Sequence, residues 1–245
     1  MRIMTLNLHK GLGLFNRSFV LPAIRDAIRA VSADIVLLQE VVGEHTGFAG
    51  QFEDWPLESQ YEFLADSTWQ QFAYGKNAVA DNSHHGNAVL SKYPIADWRN
   101  YEISSNTGEA RGALHCQVAI PHVPERLDVV CVHLGLREIE RQQQLNTLCD
   151  RIDKQVPAEA PMIVAGDFND WRCRASRILR ERLALSDVFS EIQKRPPRTY
   201  PVKIPMLRLD RIYSRNLVSK RPEVLSGPPW SRLSDHAALT VDIAL

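Results

Sequence analysis

The sequence predicts an α/β fold in which two β-sheets face each other and helices cover their outer surfaces. Short runs rich in Val, Ile and Leu recur along the whole chain, as is typical of strands. Helical patterns separate some of these runs, whereas others follow one another closely, like the strands of hairpins. The chain contains no repeat or linker, so residues 1–245 are expected to form a single domain.

Eight runs have the composition expected of strands, and they are distributed from the first residues to the last. Their alternating or continuous apolar character predicts that most of them are buried in a sheet. Strands are predicted at residues 2–7, 35–39, 87–91, 113–120, 127–133, 162–165, 209–213 and 237–243.

Three segments carry a helical pattern. Residues 22–31 place Ile24, Ile28 and Val31 on one face, and a shorter helix is predicted over 174–183. The longest helix is predicted over residues 137–154, where one face is apolar and the other is charged. It is expected to bury Ile139, Leu145, Leu148 and Ile152 and to keep Glu138, Arg141, Asp150 and Arg151 in solvent.

The charge of the chain is balanced overall but unevenly distributed. The 29 Lys and Arg residues equal the 29 Asp and Glu residues, so the net charge indicates neither a nucleic-acid nor a membrane partner. Residues 172–232, however, carry 15 basic and 5 acidic side chains. This excess of positive charge predicts a surface that attracts phosphate. The alternative interpretation is that these charges lie on separate helix faces and loops and are simply solvated.

The cysteines and the N-terminus indicate a reducing compartment. Cys116, Cys131, Cys149 and Cys173 lack a C-x-x-C spacing and are expected to be buried, reduced thiols. The first residues do not form a signal peptide, and no run reaches the roughly 20 apolar residues that span a bilayer. We therefore expect a cytoplasmic protein, monomeric and without an integral membrane segment.

Polar side chains recur at the C-terminal ends of the apolar runs or inside them. A carboxylate in such a place is costly unless it is paired or bound to a cation. Strands that each deliver one acid or amide to the same rim would build a site for a hard metal such as Mg²⁺, which prefers oxygen ligands. The residues in these positions are Asn7, Glu40, His133, Asp167, Asn169, Asp210, Asp235 and His236.

Each of these signals also has a structural interpretation when it is taken alone. Glu40 would cap a turn, and Asp167 with Asn169 would form an Asx turn. His133 would be a core histidine bonded to a carbonyl. Asp210 lies inside an apolar run and needs a partner, for which the imidazole of His236 is the obvious candidate. Such a pair would fix the tautomer of the histidine and raise the basicity of its other nitrogen.

Seven short segments, in this order, resemble the endonuclease/exonuclease/phosphatase superfamily, which includes deoxyribonuclease I and exonuclease III. The resemblance spans nearly the whole chain. The segments are Thr5-Leu6-Asn7, Gln39-Glu40, residues 86–94, Val132-His133-Leu134, Gly166-Asp167-Phe168-Asn169, Leu209-Asp210-Arg211-Ile212-Tyr213 and Ser234-Asp235-His236.

The resemblance implies a four-layer α/β sandwich, two facing mixed sheets flanked by helices, with the active site at one edge. It implies Mg²⁺, or Mn²⁺ as a substitute, held by Glu40 with Asn7 and Asp235 nearby. Asp167 would position or deprotonate the attacking water. Asn169 would bind the phosphate. Asp210 and His236 would form a dyad that contacts the phosphate or acts as base, and His133 would contact the phosphate or the leaving group.

The chemistry implied is metal-assisted, in-line attack of water on a phosphodiester. Arg111 is a further candidate, because a guanidinium binds phosphate through two hydrogen bonds. The Arg-rich segment, with Trp171, Tyr200 and Trp230 available for stacking, favours DNA or RNA as the substrate.

Two alternatives remain open at this point. A phospholipid or sphingomyelinase-like phosphodiesterase would need an apolar entry, for which Phe48, Phe52, Trp55 and residues 202–207 are candidates. A catalytically inactive module that binds nucleic acid or protein would be expected to have lost metal or dyad residues. All of those residues are present.

Overall fold

The computed structural model describes residues 1–13, 18–52, 55–105 and 109–245. The strands in these ranges are β1 Arg2–Asn7, β2 Ile35–His45, β3 Gln71–Ala80, β4 Ser83–Ser91, β5 Ile95–Glu102, β6 Gly112–Val118, β7 Leu127–His133, β8 Met162–Asp167, β9 Ser186–Asp187, β10 Asp210–Arg215, β11 Val218–Leu225 and β12 Ala238–Ala244. The helices are α1 Leu21–Val31, α2 Thr46–Gln51, α3 Gln60–Ala65, α4 Glu138–Asp153, α5 Ala175–Leu183 and α6 Val188–Gln193.

The strands form two mixed sheets of six strands each. The first has the order β11-β12-β1-β2-β4-β3, and the second has the order β5-β6-β7-β8-β10-β9. At the centre of the first sheet β1 and β2 are parallel, and at the centre of the second β7 and β8 are parallel. The strands that flank these pairs run antiparallel to them.

The two sheets pack face to face through an apolar core. Ile3 and Leu37 of the first sheet belong to the same buried cluster as Val129 and Ile163 of the second. Because the neighbouring residue Met4 points the other way and packs under α1, β1 is buried on both faces. This explains why the central strands appear in the sequence as continuous apolar runs.

Helices cover the outer faces of both sheets. Ile24 and Ile28 of α1 pack on the first sheet, and Leu145 and Leu148 of α4 pack on the second together with Leu179 of α5. The layers are therefore helix, sheet, sheet and helix. The predicted four-layer α/β sandwich is confirmed.

The sequence did not predict several edge strands. β3, β5 and β11 lie at or next to sheet edges, and the residues of β5 are mostly exposed. An edge strand has one unpaired side and often carries polar residues, so its apolar pattern is weak. The central strands β1 and β7 have the predicted bounds, whereas β2 and β4 are longer than predicted.

Two details of the predicted helix α4 are wrong. Ile139 is 72% exposed rather than buried. Arg141 is 4% exposed, because its guanidinium bonds to Glu138 at 2.7 Å and to the carbonyl oxygen of Gly135 at 3.3 Å. A paired arginine that satisfies loop carbonyls can be buried at a helix start, which simple amphipathicity does not reveal.

The thiols largely follow prediction. Cys116, Cys131 and Cys149 are buried and free, but Cys173 is only partly buried, because it lies in the loop before α5 rather than in a strand. Within the described ranges, no helix has the length and apolar character needed to cross a bilayer.

Candidate active site

Strand register brings the predicted residues to one edge of the sandwich. In the second sheet, His133 pairs in register with Asp167, and Asp167 pairs with Asp210. In the first sheet, Asn7 ends β1 beside Gln39 of the parallel strand β2. Because parallel strands end at the same edge, each strand delivers one polar side chain to a common rim.

Glu40 occupies an irregular position in β2. The pairing of β2 with β4 shifts register between Leu38 and Val41, and Glu40 has a φ of 54°. A bulge of this kind bends the strand and changes the direction of a side chain, and left-handed backbone at a non-glycine residue costs about 1–3 kcal/mol. The carboxylate of Glu40 lines the cleft at the rim.

Asn7 connects the two sheets. Its Nδ2 atom donates to Oδ2 of Asp167 at 3.1 Å and to Oε1 of Glu40 at 3.3 Å. Its Oδ1 atom accepts a hydrogen bond from the backbone nitrogen of His9 at 3.0 Å. Asn7 is buried, and its amide therefore holds the two carboxylates at a defined separation.

The predicted pair of Asp210 and His236 is present. Nδ1 of His236 lies 2.9 Å from Oδ2 of Asp210, and Nε2 lies 3.8 Å from Oδ2 of Asp167. Burial disfavours the imidazolium, but the carboxylates of Asp210 and Asp167 outweigh burial and raise the pKa of His236 to about 10. His236 is therefore cationic at neutral pH.

The carboxyl group of Asp167 is also perturbed. Burial raises its pKa above the usual range, and the negative charge of Asp210 adds to this effect, while His236 opposes it. The Oδ1 atom accepts a hydrogen bond from the backbone nitrogen of Asn169 at 2.9 Å. An acid of raised pKa in a cleft is a candidate proton acceptor.

His133 is held by a cation. Nη1 of Arg111 lies 3.1 Å from its Nδ1, and its Nε2 lies 3.6 Å from Oδ2 of Asp167. Burial, and then the charge of Arg111, place the pKa of His133 well below its usual range. Arg111 in turn pairs with Glu109 at 2.9 Å, and Glu109 pairs with His85 at 3.1 Å.

Gly166 and Asn169 determine the turn that presents Asp167. Gly166 has a φ of 144°, and a Cβ atom there would lie 2.0 Å from the carbonyl oxygen of Val132. Only glycine permits this approach of β8 to β7. The backbone nitrogen of Asn169 donates to Oδ1 of Asp167 and closes an Asx turn. The Nδ2 atom of Asn169 donates to the carbonyl oxygen of Leu134 at 2.9 Å.

The cleft has a volume of about 500 Å³. Asn7 and Asp210 lie behind its wall and support the residues that line it. The predicted residues that line the cleft are Glu40, Arg111, His133, Asp167, Asn169, Asp235 and His236.

Other residues of the cleft were not predicted as catalytic residues. Glu109 was missed, because the segment before β6 carries no apolar pattern. Leu136 and Leu209 add an apolar rim. Trp171 and Tyr200, predicted for stacking, do line the cleft, and the Tyr200 ring lies 5.0 Å from that of His236.

The metal prediction is consistent with the donor chemistry of the cleft. Glu40 and Asp235 line the cleft and offer carboxylate oxygens, which suit Mg²⁺. The amide oxygen of Asn7 already accepts from the backbone nitrogen of His9, so Asn7 supports Glu40 through its Nδ2 atom instead. Asp235 lies 3.6 Å from Nδ1 of His9. Asp167, Asp210 and His236 also form a compact cluster, but the cationic His236 cannot act as a metal ligand while it keeps its proton.

The predicted basic surface is not continuous, because several of its arginines serve the fold. Arg211 is buried and pairs with Asp187 at 3.3 Å. Arg215 is buried and donates to backbone carbonyls, among them that of Pro157 at 2.7 Å. Trp230 is a core residue, 7% exposed, so its predicted stacking role is wrong.

The aromatic residues considered for a lipid entry pack with each other. The Phe52 ring stacks on Phe19 at a centroid distance of 5.9 Å, and the tilted Trp55 ring contacts Phe19 at 5.0 Å. The side chain of Phe48 lies outside the described part of the chain. Of the other predicted entry segment, Leu207 lines the cleft.

Comparison with known proteins gives a consistent result. Residues 4–236 match the model of the Endonuclease/Exonuclease/phosphatase family. The chain is 49% identical over 244 residues to the uncharacterized protein YbhP of Escherichia coli strain K12, covering 100% of this chain and 96% of YbhP.

Solved structures share the fold at low sequence identity. One is D. rerio TDP2 complexed with single strand DNA product, with a TM-score of 0.72, 18% identity, and coverage of 100% of this chain and 99% of that one. Another is the mannosyl-6-phosphatase Bt3783 of Bacteroides thetaiotaomicron, with a TM-score of 0.73, 16% identity and full coverage of both chains. With the match over residues 4–236, these comparisons show that the chain belongs to the endonuclease/exonuclease/phosphatase family.

Proposed function

We propose that this protein is a metal-dependent phosphodiesterase that hydrolyses nucleic acid. One observation carries the proposal, the position of the Asp167 carboxylate. It accepts a hydrogen bond from Asn7, which also donates to Glu40. The same carboxylate of Asp167 faces both His133 and His236. A buried carboxylate of raised pKa, beside oxygen donors and a cationic imidazole, is suited to activating water against a phosphate.

The residues divide the chemistry among them. Glu40 and Asp235, with Asn7 positioning the Glu40 carboxylate, would hold Mg²⁺ or Mn²⁺, which when bound supplies charge to stabilise the phosphoryl oxygens. Asp167 orients the attacking water and takes its proton at Oδ2. Because His236 already carries a proton on each nitrogen, it donates from Nε2 to a phosphoryl oxygen and does not act as the first base.

Three further residues would bind the phosphate. The neutral His133 donates from Nε2, since its Nδ1 accepts from Arg111. The guanidinium of Arg111 and the amide of Asn169 border the same cleft. Donors placed in this way favour the transition state, in which negative charge on the phosphoryl oxygens increases.

Two features support a nucleic-acid substrate. Trp171 is 48% exposed and lines the cleft with Tyr200, and although the Arg172 guanidinium lies over one face of its ring at 4.5 Å, the exposed part of the indole is available for stacking. TDP2, which shares the fold, has been crystallised with a single strand DNA product. We further propose that residues 1–245 act as one domain, as a monomer in the cytoplasm.

A phospholipid diester is the second candidate, because the rim of the cleft is apolar on one side. Leu136 is 76% and Leu207 is 37% exposed at the cleft, and Ile204 and Met206 on the adjoining loop are 71% and 59% exposed. Exposed apolar side chains of this kind are typical of surfaces that meet lipid.

The test is hydrolysis by the purified protein with Mg²⁺ or Mn²⁺, with EDTA as control. The panel contains bis-p-nitrophenyl phosphate, single- and double-stranded DNA, RNA and phosphatidylglycerol vesicles. Cleavage of a nucleic acid that EDTA abolishes is the expected result. Cleavage of vesicles alone would favour the second candidate, and no cleavage by a folded chain would contradict the proposal.

A further inference from the structure

A second cavity of the chain is lined by basic residues. It has a volume of about 350 Å³ and lies between the end of α6 and β11. Its wall includes Arg195, Pro197, Arg198, Arg208 and Val224. It shares no lining residue with the cleft.

The described residues that line this basic pocket contribute three guanidinium groups and no acidic side chain. Within the described ranges, the side chains of Arg195, Arg198 and Arg208 form no ion pair. Other arginines of the same basic segment do have such partners, for example Arg182 with Asp150. Like charges gathered in one concave site repel each other unless an anion joins them.

Arg208 provides an independent observation. Its Nε atom is shielded from solvent and has no hydrogen-bond acceptor among the described residues. Nearly all buried donors in proteins are paired, so an unpaired one beside a cavity indicates a missing acceptor. A phosphate oxygen bound in the pocket would supply this acceptor.

Hydrogen bonds join the two segments that carry Arg198 and Arg208. The nitrogen of Thr199 donates to the carbonyl oxygen of Leu207 at 2.8 Å, and the nitrogen of Leu209 donates to Oγ1 of Thr199 at 3.3 Å. Thr199 is fully buried. The main chain beside Arg198 and Arg208 is therefore fixed, so binding has to order only their side chains.

We infer that this basic pocket is a binding site for a phosphate group that is not hydrolysed. Guanidinium groups bind phosphate through paired hydrogen bonds, and three of them more than neutralise its charge and supply donors for its several acceptor oxygens. The group is either free inorganic phosphate or a phosphate of a nucleic-acid chain. Arg208 lies between Leu207 and Leu209, which line the cleft, so the same segment borders both the cleft and the pocket.

The experiment measures binding in EDTA, so that it does not depend on hydrolysis. Sodium phosphate is titrated into the full chain by calorimetry at constant ionic strength. The variant carries Arg195→Gln and Arg198→Gln, both exposed, so folding is not at risk. The control carries Arg177→Gln and Arg180→Gln, which remove the same charge from the exposed side of α5.

Phosphate binding should weaken by about tenfold in the pocket variant and stay within about twofold in the control. Arg208→Gln should reproduce the loss. Equal binding by the two double variants, or no binding by the unaltered chain, would overturn the inference.

A labelled oligodeoxythymidylate distinguishes the two sources of phosphate. If the pocket variant weakens binding of the oligonucleotide as well as of phosphate, the ligand is a phosphate of the chain. If only inorganic phosphate is affected, the ligand is free phosphate. Pocket-dependent binding of phosphatidylglycerol vesicles, without binding of inorganic phosphate, would contradict the inference.

Discussion

The Nδ1 atom of His133 accepts a hydrogen bond from Nη1 of Arg111 at 3.1 Å. A guanidinium has no acceptor, so this contact requires a lone pair on Nδ1 and places the proton of the neutral ring on Nε2. Nε2 is the atom that faces Asp167. Arg111 therefore determines which nitrogen of His133 can donate to a substrate.

Arg111→Gln should release this tautomer and lower kcat for a phosphodiester by about 10- to 100-fold, since one transition-state donor is lost. Nitrogen NMR of the His133 ring reports the tautomer directly. Arg99→Gln, an exposed arginine on β5, is the matched control. An unchanged tautomer in the Arg111 variant would exclude a positioning role.

Glu40→Gln should reduce Mg²⁺-dependent hydrolysis by at least about 100-fold, because an amide is a poorer ligand than a carboxylate. Thermal unfolding without metal should change little. Glu44→Gln, exposed on the same strand, is the control and should keep full activity. Activity retained by a folded Glu40 variant would show that the metal ligand lies elsewhere.

Asp210→Asn should lower the pKa of His236 from about 10, because the nearest carboxylate is lost. In the unaltered chain without metal, the imidazolium stabilises the fold below the ordinary pKa of 6.5, and this contribution disappears as the pH rises through about 10. In the Asp210→Asn variant, the free energy of unfolding should lose the part of its pH dependence that comes from His236. Proton NMR titration of His236, with unfolding measured from pH 6 to 10 in both proteins, tests this expectation.

Gly166→Ala should destabilise the protein by about 2–4 kcal/mol, since the added Cβ would meet the carbonyl oxygen of Val132 in a backbone region that favours glycine. Gly227→Ala meets no atom within 4 Å and serves as the control. Denaturant unfolding measures both. Equal stability of the two variants would show that β8 can move away from β7 at no cost.

Much of the fold and of the candidate site could be predicted from the sequence, for a physical reason. Central strands such as β1 and β7 are buried on both faces, so their apolar runs are continuous and end sharply at Asn7 and His133. Their polar ends stand out for the same reason. The carboxylate of Asp210, inside an apolar run, required a partner, and the structure provides His236.

Other features depend on tertiary contacts that leave no local pattern. Glu109 precedes β6 in an irregular segment, and its ion pairs with Arg111 and His85 hold it at the cleft. The buried Arg211 and Arg215 appear in the sequence as part of a basic surface, because composition does not distinguish a solvated guanidinium from one paired inside the protein.

The bond from Asn7 to Asp167 and the bond from His236 to Asp210 both join the first sheet to the second. Neither sheet carries a complete set of reacting groups, so activity depends on how the two sheets are docked. A cavity made far from the rim, for example by Val129→Ala in the core between the sheets, would let one sheet slide against the other. Turnover should then decline at temperatures where circular dichroism still reports intact strands, which would make catalysis a sensitive reporter of intersheet alignment.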